Sequence, residues 1–288
     1  MVHFNLVTME GLMRITILCE NSVGRAIPAI GEHGFACWIE LDDKHYLVDS
    51  GQGLGIIKNA QVLNLPLNQL SGAVISHGHY DHVGGLDQVL RHVDDLEVFA
   101  HPGIFAERYS QGHRTLRFLG IPQRRELLET LGARFTFTPG FQQIAANLYV
   151  TGAIPRVNDF EQGDANLVQR NSDGQFEPDP FDDDMAVVIN STKGLVVVLG
   201  CAHAGIINTL DYACQQFNRD EVYAVVGGTH LGPVSAEQFN RTLLELKRFN
   251  IQKIGVSHCT GQPRAALLGN EFGKRFFYGS VGAVLEID

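Results

Sequence analysis

The segment from His77 to His82 is dense in side chains that bind metal ions. The order His77-x-His79-x-Asp81-His82 places three imidazoles and one carboxylate within six residues. Imidazole nitrogens and carboxylate oxygens are ligands that Zn²⁺ and similar cations prefer, and a catalytic zinc site takes about three of them from the protein. The segment holds more ligands than one ion needs. We therefore predict two ions, one on His77 and His79 and the other on Asp81 and His82.

Three later segments repeat one arrangement, in which an apolar strand leads to polar residues that include a histidine. The polar runs are Gly200-Cys201-Ala202-His203, Gly227-Gly228-Thr229-His230 and Ser257-His258-Cys259-Thr260. A thiolate binds zinc well, so Cys201 is a candidate ligand, with a small buried core cysteine as the alternative. His203, two residues further on, can point into the same space. For His230 three roles stay open: metal ligand, substrate contact or proton donor, and structural histidine.

Composition limits the classes of partner. The 288 residues include 32 acidic and 22 basic side chains, a formal net charge of -10, which disfavours nucleic acid and anionic membrane surfaces. No apolar run approaches the roughly 20 residues that cross a bilayer. The five cysteines are too few and too scattered for a disulfide scaffold. We expect a soluble cytoplasmic protein with reduced thiols and a small-molecule substrate, and the sequence leaves the oligomeric state open.

The elements that position these residues mix hairpins with strand-helix units. Hairpins are predicted from Phe35–Leu41 with His45–Val48, and from Met185–Asn190 with Leu195–Leu199. Further strands are predicted at 72–75, 96–100, 222–226 and 254–256, and helices at 56–63, 84–92, 206–217 and 236–249. Two mixed sheets covered by helices, an α/β (α+β) architecture, fit this order best.

The middle of the chain departs from this order. One domain over residues 1–288 is expected, with a possible inserted subregion at about 105–180 that ends in a loop, Asn171–Asp184. The inserted subregion is locally basic, and a solvated surface is the favoured interpretation over a face for an anionic substrate. Its basic residues are Arg108, His113, Arg114, Arg117, Arg124 and Arg125.

The segment from His77 to His82 resembles the signature of the metallo-β-lactamase superfamily. Asp49 matches the superfamily's first acidic motif, and His258 matches its late histidine. The resemblance extends from about residue 14 onward and implies an αββα sandwich with metals at one edge, between the sheets. Further matching stretches resemble one branch, the 7,8-dihydropterin-6-methyl-4-(β-D-ribofuranosyl)aminobenzene-5′-phosphate synthase-like metal-dependent hydrolases. These stretches are His33-Gly34, Ser76–Leu86, Gly200–Ile206, Gly227–Leu231 and His258–Gly261.

The resemblance also implies a ligand set. Residue by residue, it assigns metal ligation to His77, His79, Asp81, His82 and His258. Cys201 stands where members usually carry an acidic or cysteine ligand. A histidine that members usually carry before the preceding strand pair is missing, and Asp182, Asp183 and Asp184 stand there instead. Asp184 and His203 are the alternatives for that ligand, while Asp49 is expected to hold a ligating imidazole through its second nitrogen.

The function that follows is hydrolysis by two divalent transition-metal ions, Zn²⁺ first and Mn²⁺ or Fe²⁺ as alternatives. A hydroxide between the ions would attack, Asp81 would orient it, and His230 or His203 would protonate the leaving group. The resemblance suggests a small phosphorylated or pterin-like substrate. A thioesterase or lactonase, and a metal-holding binding or regulatory protein without catalysis, remain alternatives.

Overall fold

The computed structural model describes residues 13–112 and 114–287, so His113 lies outside the described residues. The helices are α1 (Ile56–Val62), α2 (Tyr80–Val83), α3 (Leu86–Leu90), α4 (Arg125–Thr130), α5 (Ile206–Phe217), α6 (Ala236–Leu246) and α7 (Gln262–Phe272). The first nine strands are β1 (Met13–Cys19), β2 (Ala36–Leu41), β3 (Lys44–Val48), β4 (Leu70–Ile75), β5 (Leu96–Ala100), β6 (Arg108–Gln111), β7 (Leu116–Phe118), β8 (Ala133–Phe137) and β9 (Gln142–Ala145). The other nine are β10 (Leu148–Val150), β11 (Leu167–Arg170), β12 (Phe176–Pro178), β13 (Ala186–Ser191), β14 (Gly194–Leu199), β15 (Val222–Gly228), β16 (Lys253–Ser257), β17 (Phe276–Tyr278) and β18 (Val284–Ile287).

Two seven-stranded mixed sheets form the centre of the molecule. The first has the order β18-β1-β2-β3-β4-β5-β8 and the second β17-β16-β15-β14-β13-β10-β9. Both predicted hairpins are confirmed, as β2 with β3 and β13 with β14. In each sheet one half is parallel: β3, β4, β5 and β8 in the first, and β14 to β17 in the second. Parallel strands bring their carboxyl ends to one edge, which is where the predicted donors stand.

The core has three layers, one between the sheets and one between each sheet and its helices. Val187 and Ile189 of β13 pack between the sheets, whereas Val188 faces the helices on the outer side. Successive side chains of a strand point to opposite faces, and both faces are covered here, so the strand reads as a continuous apolar run. The third layer packs the first sheet against α1, α3 and α4. The predicted αββα sandwich is confirmed.

A third, four-stranded sheet of order β12-β11-β6-β7 lies outside the sandwich. It is built from two segments, Arg108–Phe118 and Leu167–Pro178, while β8, β9 and β10 between them belong to the main sheets. The prediction that Asn171–Asp184 is a loop was wrong in part, because β12 pairs with β11 there. Among the described residues, no helix is long and apolar enough to cross a membrane.

Arg108 connects this third sheet to the segment that carries the predicted ligands. Its Nε donates to Asp179 at 2.8 Å and its Nη2 to Asp183 at 2.7 Å, and the residue is only 3% exposed. The other Asp183 oxygen accepts the backbone N–H of Gly78 at 2.8 Å, inside the His77-to-His82 segment. Arg108 was expected at the surface. That expectation was wrong: a buried cation needs carboxylate partners, and Asp179 and Asp183, which follow β12, supply them.

We expect Arg108→Met to destabilise the protein strongly. The substitution keeps an apolar stem but leaves Asp179 and Asp183 buried without their cation, which typically costs about 3–5 kcal/mol. Arg125→Met is the matched control, because the pair of Arg125 with Glu129 is exposed and exposed pairs contribute less than about 1 kcal/mol. Urea denaturation measures both free energies of unfolding. Equal small losses would contradict the role of Arg108.

Candidate metal centre

The candidate donors converge because strands of both sheets end abruptly at the same edge. Asp49 follows β3, Cys201 follows β14, and His258 follows β16 directly. The chain turns sharply at these ends: Asp49, Ala202, His230 and His258 have φ between 49° and 57°. Such left-handed backbone costs roughly 1–2 kcal/mol in an L-residue. The chain therefore adopts an unfavourable left-handed conformation at these strand ends, where the donor side chains lie close together.

The first group of donors contains three buried imidazoles, those of His77, His79 and His203. His77 Nε2 lies 3.0 Å from His79 Nδ1, and the Nε2 atoms of His79 and His203 have no hydrogen-bond partner among the described residues. Burial lowers the pKa of His79 to about 3 and holds the pKa values of His77 and His203 well below their usual range. Neutral imidazoles with free lone pairs are the form that binds a metal ion.

The second group contains His33, Asp81 and His258. Asp81 Oδ2 lies 3.2 Å from His33 Nε2 and 3.4 Å from His258 Nε2. Burial raises the pKa of Asp81, but the hydrogen bonds with His258 and His33 outweigh it and hold the pKa well below its usual value. Asp81 is therefore an ionised, acceptor-only carboxylate, as a ligand must be.

His33 is a member of this group to which sequence reasoning assigned no role. The pair His33-Gly34 was part of the family resemblance. The position of the His33 side chain, however, depends on how closely its loop approaches the Asp81 segment, which is distant in sequence. A Cβ on Gly34 would lie 2.2 Å from the backbone oxygen of Asp81, so only glycine lets this loop pass the Asp81 segment closely. The His33 side chain is 54% exposed, which makes it the part of the group that solvent reaches.

His82 and Cys201 form the third group together with His77. His82 Nε2 lies 3.2 Å from Cys201 Sγ, and His82 Nδ1 lies 2.7 Å from Asp49 Oδ2. Asp49 also accepts the backbone N–H and the hydroxyl of Ser76, each at 2.7 Å. Burial lowers the pKa of His82, but the Asp49 carboxylate outweighs it and raises the pKa to about 9. Asp49 thus fixes the imidazole through the nitrogen that faces away from Cys201.

Cys201 and His203, the two candidate ligands after β14, both lie at the centre but have different neighbours. Cys201 is grouped with His77 and His82, whereas His203 is grouped with His77 and His79. Asp184 Oδ2 accepts the backbone N–H of Ala204 at 2.8 Å, and its buried Oδ1 has no partner among the described residues. Asp184 belongs to none of the donor groups found in the described residues. Of the two alternatives for the missing histidine, His203 and Asp184, only His203 is thus grouped with His77 and His79, and its role as a ligand stays a prediction.

His230 lies beside the first group, with its ring centroid 4.2 Å from that of His203. Both ring nitrogens are buried and without a hydrogen-bond partner in the part of the chain that the structure describes. Its backbone N–H donates to Cys259 Sγ at 3.1 Å. The geometry leaves a ring nitrogen free for a substrate, a proton or an ion.

These donors are of the types that bind transition-metal ions. Buried imidazole nitrogens face each other with lone pairs unpartnered, an ionised carboxylate is held between two histidines, and a thiol stands against a fourth imidazole. Buried polar atoms without partners are costly in a folded protein, and coordination satisfies them. His77 and Cys201 each belong to more than one group, so adjacent ions sharing ligands are compatible with this donor set.

Comparison with known proteins points the same way. A family model described as the metallo-beta-lactamase superfamily matches residues 30–258. A 7,8-dihydropterin-6-methyl-4-(beta-D-ribofuranosyl)-aminobenzene-5′-phosphate synthase of Methanocaldococcus jannaschii is 27% identical over 274 residues, covering 92% of this chain and 93% of that protein. An uncharacterized protein of the same organism, MJ0448, is 31% identical over 95% of this chain and 100% of its own length. The crystal structure of Tm1679, a metal-dependent hydrolase of the beta-lactamase superfamily, has a TM-score of 0.81 and 27% identity, covering 96% of this chain and 99% of that one.

We expect the purified protein to hold up to two transition-metal ions, and single donor variants to lower that number. His203→Ala removes one imidazole of the first group, and Cys201→Ser removes the thiol that faces His82, so each should lose about one ion. Elemental analysis after gel filtration measures the content. Cys214→Ser, a buried cysteine of α5, is the control and should keep the wild-type value. Unchanged content in both donor variants would mean that the ligands lie elsewhere, with Asp184 the first residue to test.

We also expect metal binding to release protons and to strengthen as pH rises. In the metal-free centre Asp49 keeps His82 protonated up to a pKa of about 9, and burial raises the pKa of the Cys201 thiol above its usual value. Both protons must leave before these atoms bind metal, so affinity should rise at least about tenfold per pH unit between about pH 6.5 and pH 8. Calorimetry in buffers of different ionisation enthalpy measures the release. Asp49→Asn should reduce it, and a pH-independent affinity would contradict the assignment.

Proposed function

The chain belongs to the metallo-beta-lactamase superfamily, and we propose that it is a metal-dependent hydrolase acting on a small anionic substrate, phosphorylated or pterin-like. The observation that carries the proposal is the convergence of buried imidazoles with unpartnered nitrogens beside the ionised Asp81. The relative named a dihydropterin aminobenzene-phosphate synthase supports the substrate class. Divalent ions bound here would supply hydroxide near neutral pH and polarise the bond under attack.

Asp81 is proposed to orient the attacking oxygen. Its Oδ2 lies between His33 Nε2 and His258 Nε2, and its low pKa keeps the carboxylate ionised at neutral pH. A carboxylate that accepts hydrogen bonds from two sides cannot rotate freely, so it holds a water molecule in one direction. The His33 side chain is 54% exposed, so solvent reaches the pair that it forms with Asp81.

His230 is proposed to donate a proton from a ring nitrogen to the leaving group. Burial lowers the pKa of His230, but the neighbouring Cys259 outweighs it and raises the pKa above its ordinary value. The raised pKa favours the protonated form, and Cys259 is the neighbour that stabilises it. An imidazolium has two N–H groups, so one can face Cys259 while the other acts as a general acid toward the leaving group.

Two cavities next to the centre are large enough for a small molecule. One, of about 840 Å³, is lined by Phe181, which stacks on His203, and by Arg156, which donates to the backbone oxygen of His203. The other, of about 860 Å³, is lined by His258 and Arg25. Drug-sized ligands occupy pockets of about 300–1,000 Å³. Each cavity is lined by one arginine and also by carboxylates, Glu161, Asp164, Asp179 and Asp182 in the first and Glu20 in the second. The size of the cavities therefore supports a small-molecule substrate, and the anionic class rests on the named relative.

A second candidate is group transfer, in which another substrate replaces water as the nucleophile. The relative that is 27% identical over 92% of the chain is named a synthase, which favours this candidate. The same centre would serve both reactions, because Asp81 and His230 orient a nucleophile and protonate a leaving group in either case.

The discriminating experiment is an activity screen on one metal-analysed sample. Phosphoesters, lactones and thioesters are tested alone and then with amine nucleophiles, before and after chelation. Hydrolysis that chelation abolishes and added metal restores would support the first proposal. Product formation that requires the second substrate would support the transfer. Turnover that survives complete metal removal would contradict both.

We expect Asp81→Ala to lower turnover by roughly 10²-fold or more, because it removes both a donor and the group that orients the nucleophile. The fold should persist, since Asp81 lies at the sheet edge and not among the apolar layers. Circular dichroism and kcat with the best substrate of the screen measure the two effects. Asp43→Ala, at an exposed acidic position in the turn between β2 and β3, is the control and should keep wild-type turnover. An Asp81→Ala protein with normal turnover would refute the role.

A further inference from the structure

Two cysteines and a histidine stand together next to the metal centre, at the ends of three neighbouring strands. Cys201 follows β14, His230 follows β15 and Cys259 follows β16. We propose that Cys201, His230 and Cys259 form a separate binding site for a thiophilic divalent cation such as Cd²⁺ or Zn²⁺.

The spacing of the three donors suits a single ion. One ligand atom from each residue lies within 4.8 Å of the other two. A tetrahedral zinc ion with bonds of about 2.3 Å to sulfur and 2.0–2.1 Å to nitrogen holds its ligand atoms about 3.5–3.8 Å apart. Small side-chain rotations therefore bring the donors to coordination distance, without movement of the strands.

The backbone around the cysteines is built for this proximity. The backbone N–H of His230 donates to Cys259 Sγ at 3.1 Å, and Cys259 Sγ lies 3.6 Å from the backbone oxygen of Cys201. A Cβ on Gly228 would lie 2.2 Å from the backbone oxygen of Gly200, 2.8 Å from Cys259 Sγ and 3.3 Å from Cys201 Cα, so only glycine lets β15 lie this close to both cysteine segments. An N–H directed at sulfur also favours the thiolate, the form that binds metal.

An independent observation comes from the His230 ring. Both of its nitrogens are buried, and neither has a hydrogen-bond partner within the described residues. The His203 ring lies 4.2 Å from the His230 ring between centroids, and a ring nitrogen of His230 lies within 4.8 Å of both sulfurs. Buried imidazole nitrogens are normally paired, and an ion between His230 and the sulfurs would pair one of them. Soft thiolates beside imidazole select thiophilic cations over Mg²⁺ or Ca²⁺.

The site adjoins the centre through Cys201, whose Sγ also lies 3.2 Å from His82 Nε2. A thiolate has lone pairs for two cations, so Cys201 can bridge the sites. An ion held by His230 would also occupy the proposed proton donor and inhibit turnover. That consequence rests on the proposed function, whereas the site itself is tested by binding and does not need turnover.

The experiment titrates Cd²⁺ into the zinc-loaded protein after gel filtration. Elemental analysis gives cadmium and zinc per chain, and the ultraviolet absorption of thiolate-to-cadmium charge transfer reports sulfur ligation. Wild type should bind about one further ion with this absorption while its zinc stays bound. Cys259→Ser should weaken the added site by about tenfold or more and lower the absorption by roughly half. Cys214→Ser should behave like wild type.

His230→Ala is the second variant. It removes the nitrogen ligand and leaves both sulfurs, so the site can still be tested if Cys259→Ser does not fold. It should lower the affinity for the added ion with the absorption largely retained. The proposal is overturned if wild type binds no further ion, if cadmium only displaces zinc, or if both variants bind it as wild type does. Loss of the zinc from Cys259→Ser would also overturn it, because Cys259 would then belong to the resident centre.

Discussion

Burial of imidazoles and carboxylates at one sheet edge is the constraint on which the rest of this structure depends. An uncompensated polar group in the interior costs several kcal/mol, and a charge costs more. The protein meets this cost with specific partners: Asp49 for His82, His33 and His258 for Asp81, and Arg108 for Asp183. The nitrogens that remain unpartnered mark where the fold leaves coordination to an ion. The unpartnered nitrogens of His79, His203 and His230 are therefore the positions at which a bound ion would complete these interactions.

The sandwich explains why these groups meet at all. Parallel halves of two sheets end at a common edge, and left-handed residues such as Asp49 and His258 turn the chain as each strand ends. The third sheet stabilises this edge as well. Arg108 of that sheet donates to Asp183, and Asp183 accepts the backbone N–H of Gly78, which lies between His77 and His79. Positions along the chain that are far apart thus determine the geometry of a six-residue segment.

What the sequence predicted was local or periodic. The His77-to-His82 segment, both hairpins and the α5 helix follow from neighbouring residues, and two mixed sheets covered by helices follow from the order of the elements. The αββα sandwich itself was implied by the family resemblance. The long-range features were not predictable in the same way. The burial of Arg108 depends on Asp179 and Asp183, about 70 residues later; the contact of His33 with Asp81 depends on a loop passing at Gly34; and the grouping of Cys259 with Cys201 depends on strand order. No periodicity encodes these pairings.

The same environment divides the donors by protonation state, which gives the site its chemical character. Burial keeps His77 and His79 neutral, Asp49 keeps His82 charged, and two histidines keep Asp81 ionised. Groups of similar intrinsic pKa pushed apart by their surroundings are typical of sites that handle protons. Nothing in this division selects water over another nucleophile. The choice between hydrolysis and group transfer therefore depends on which second reactant, water or another molecule, the adjoining cavities admit beside the donors.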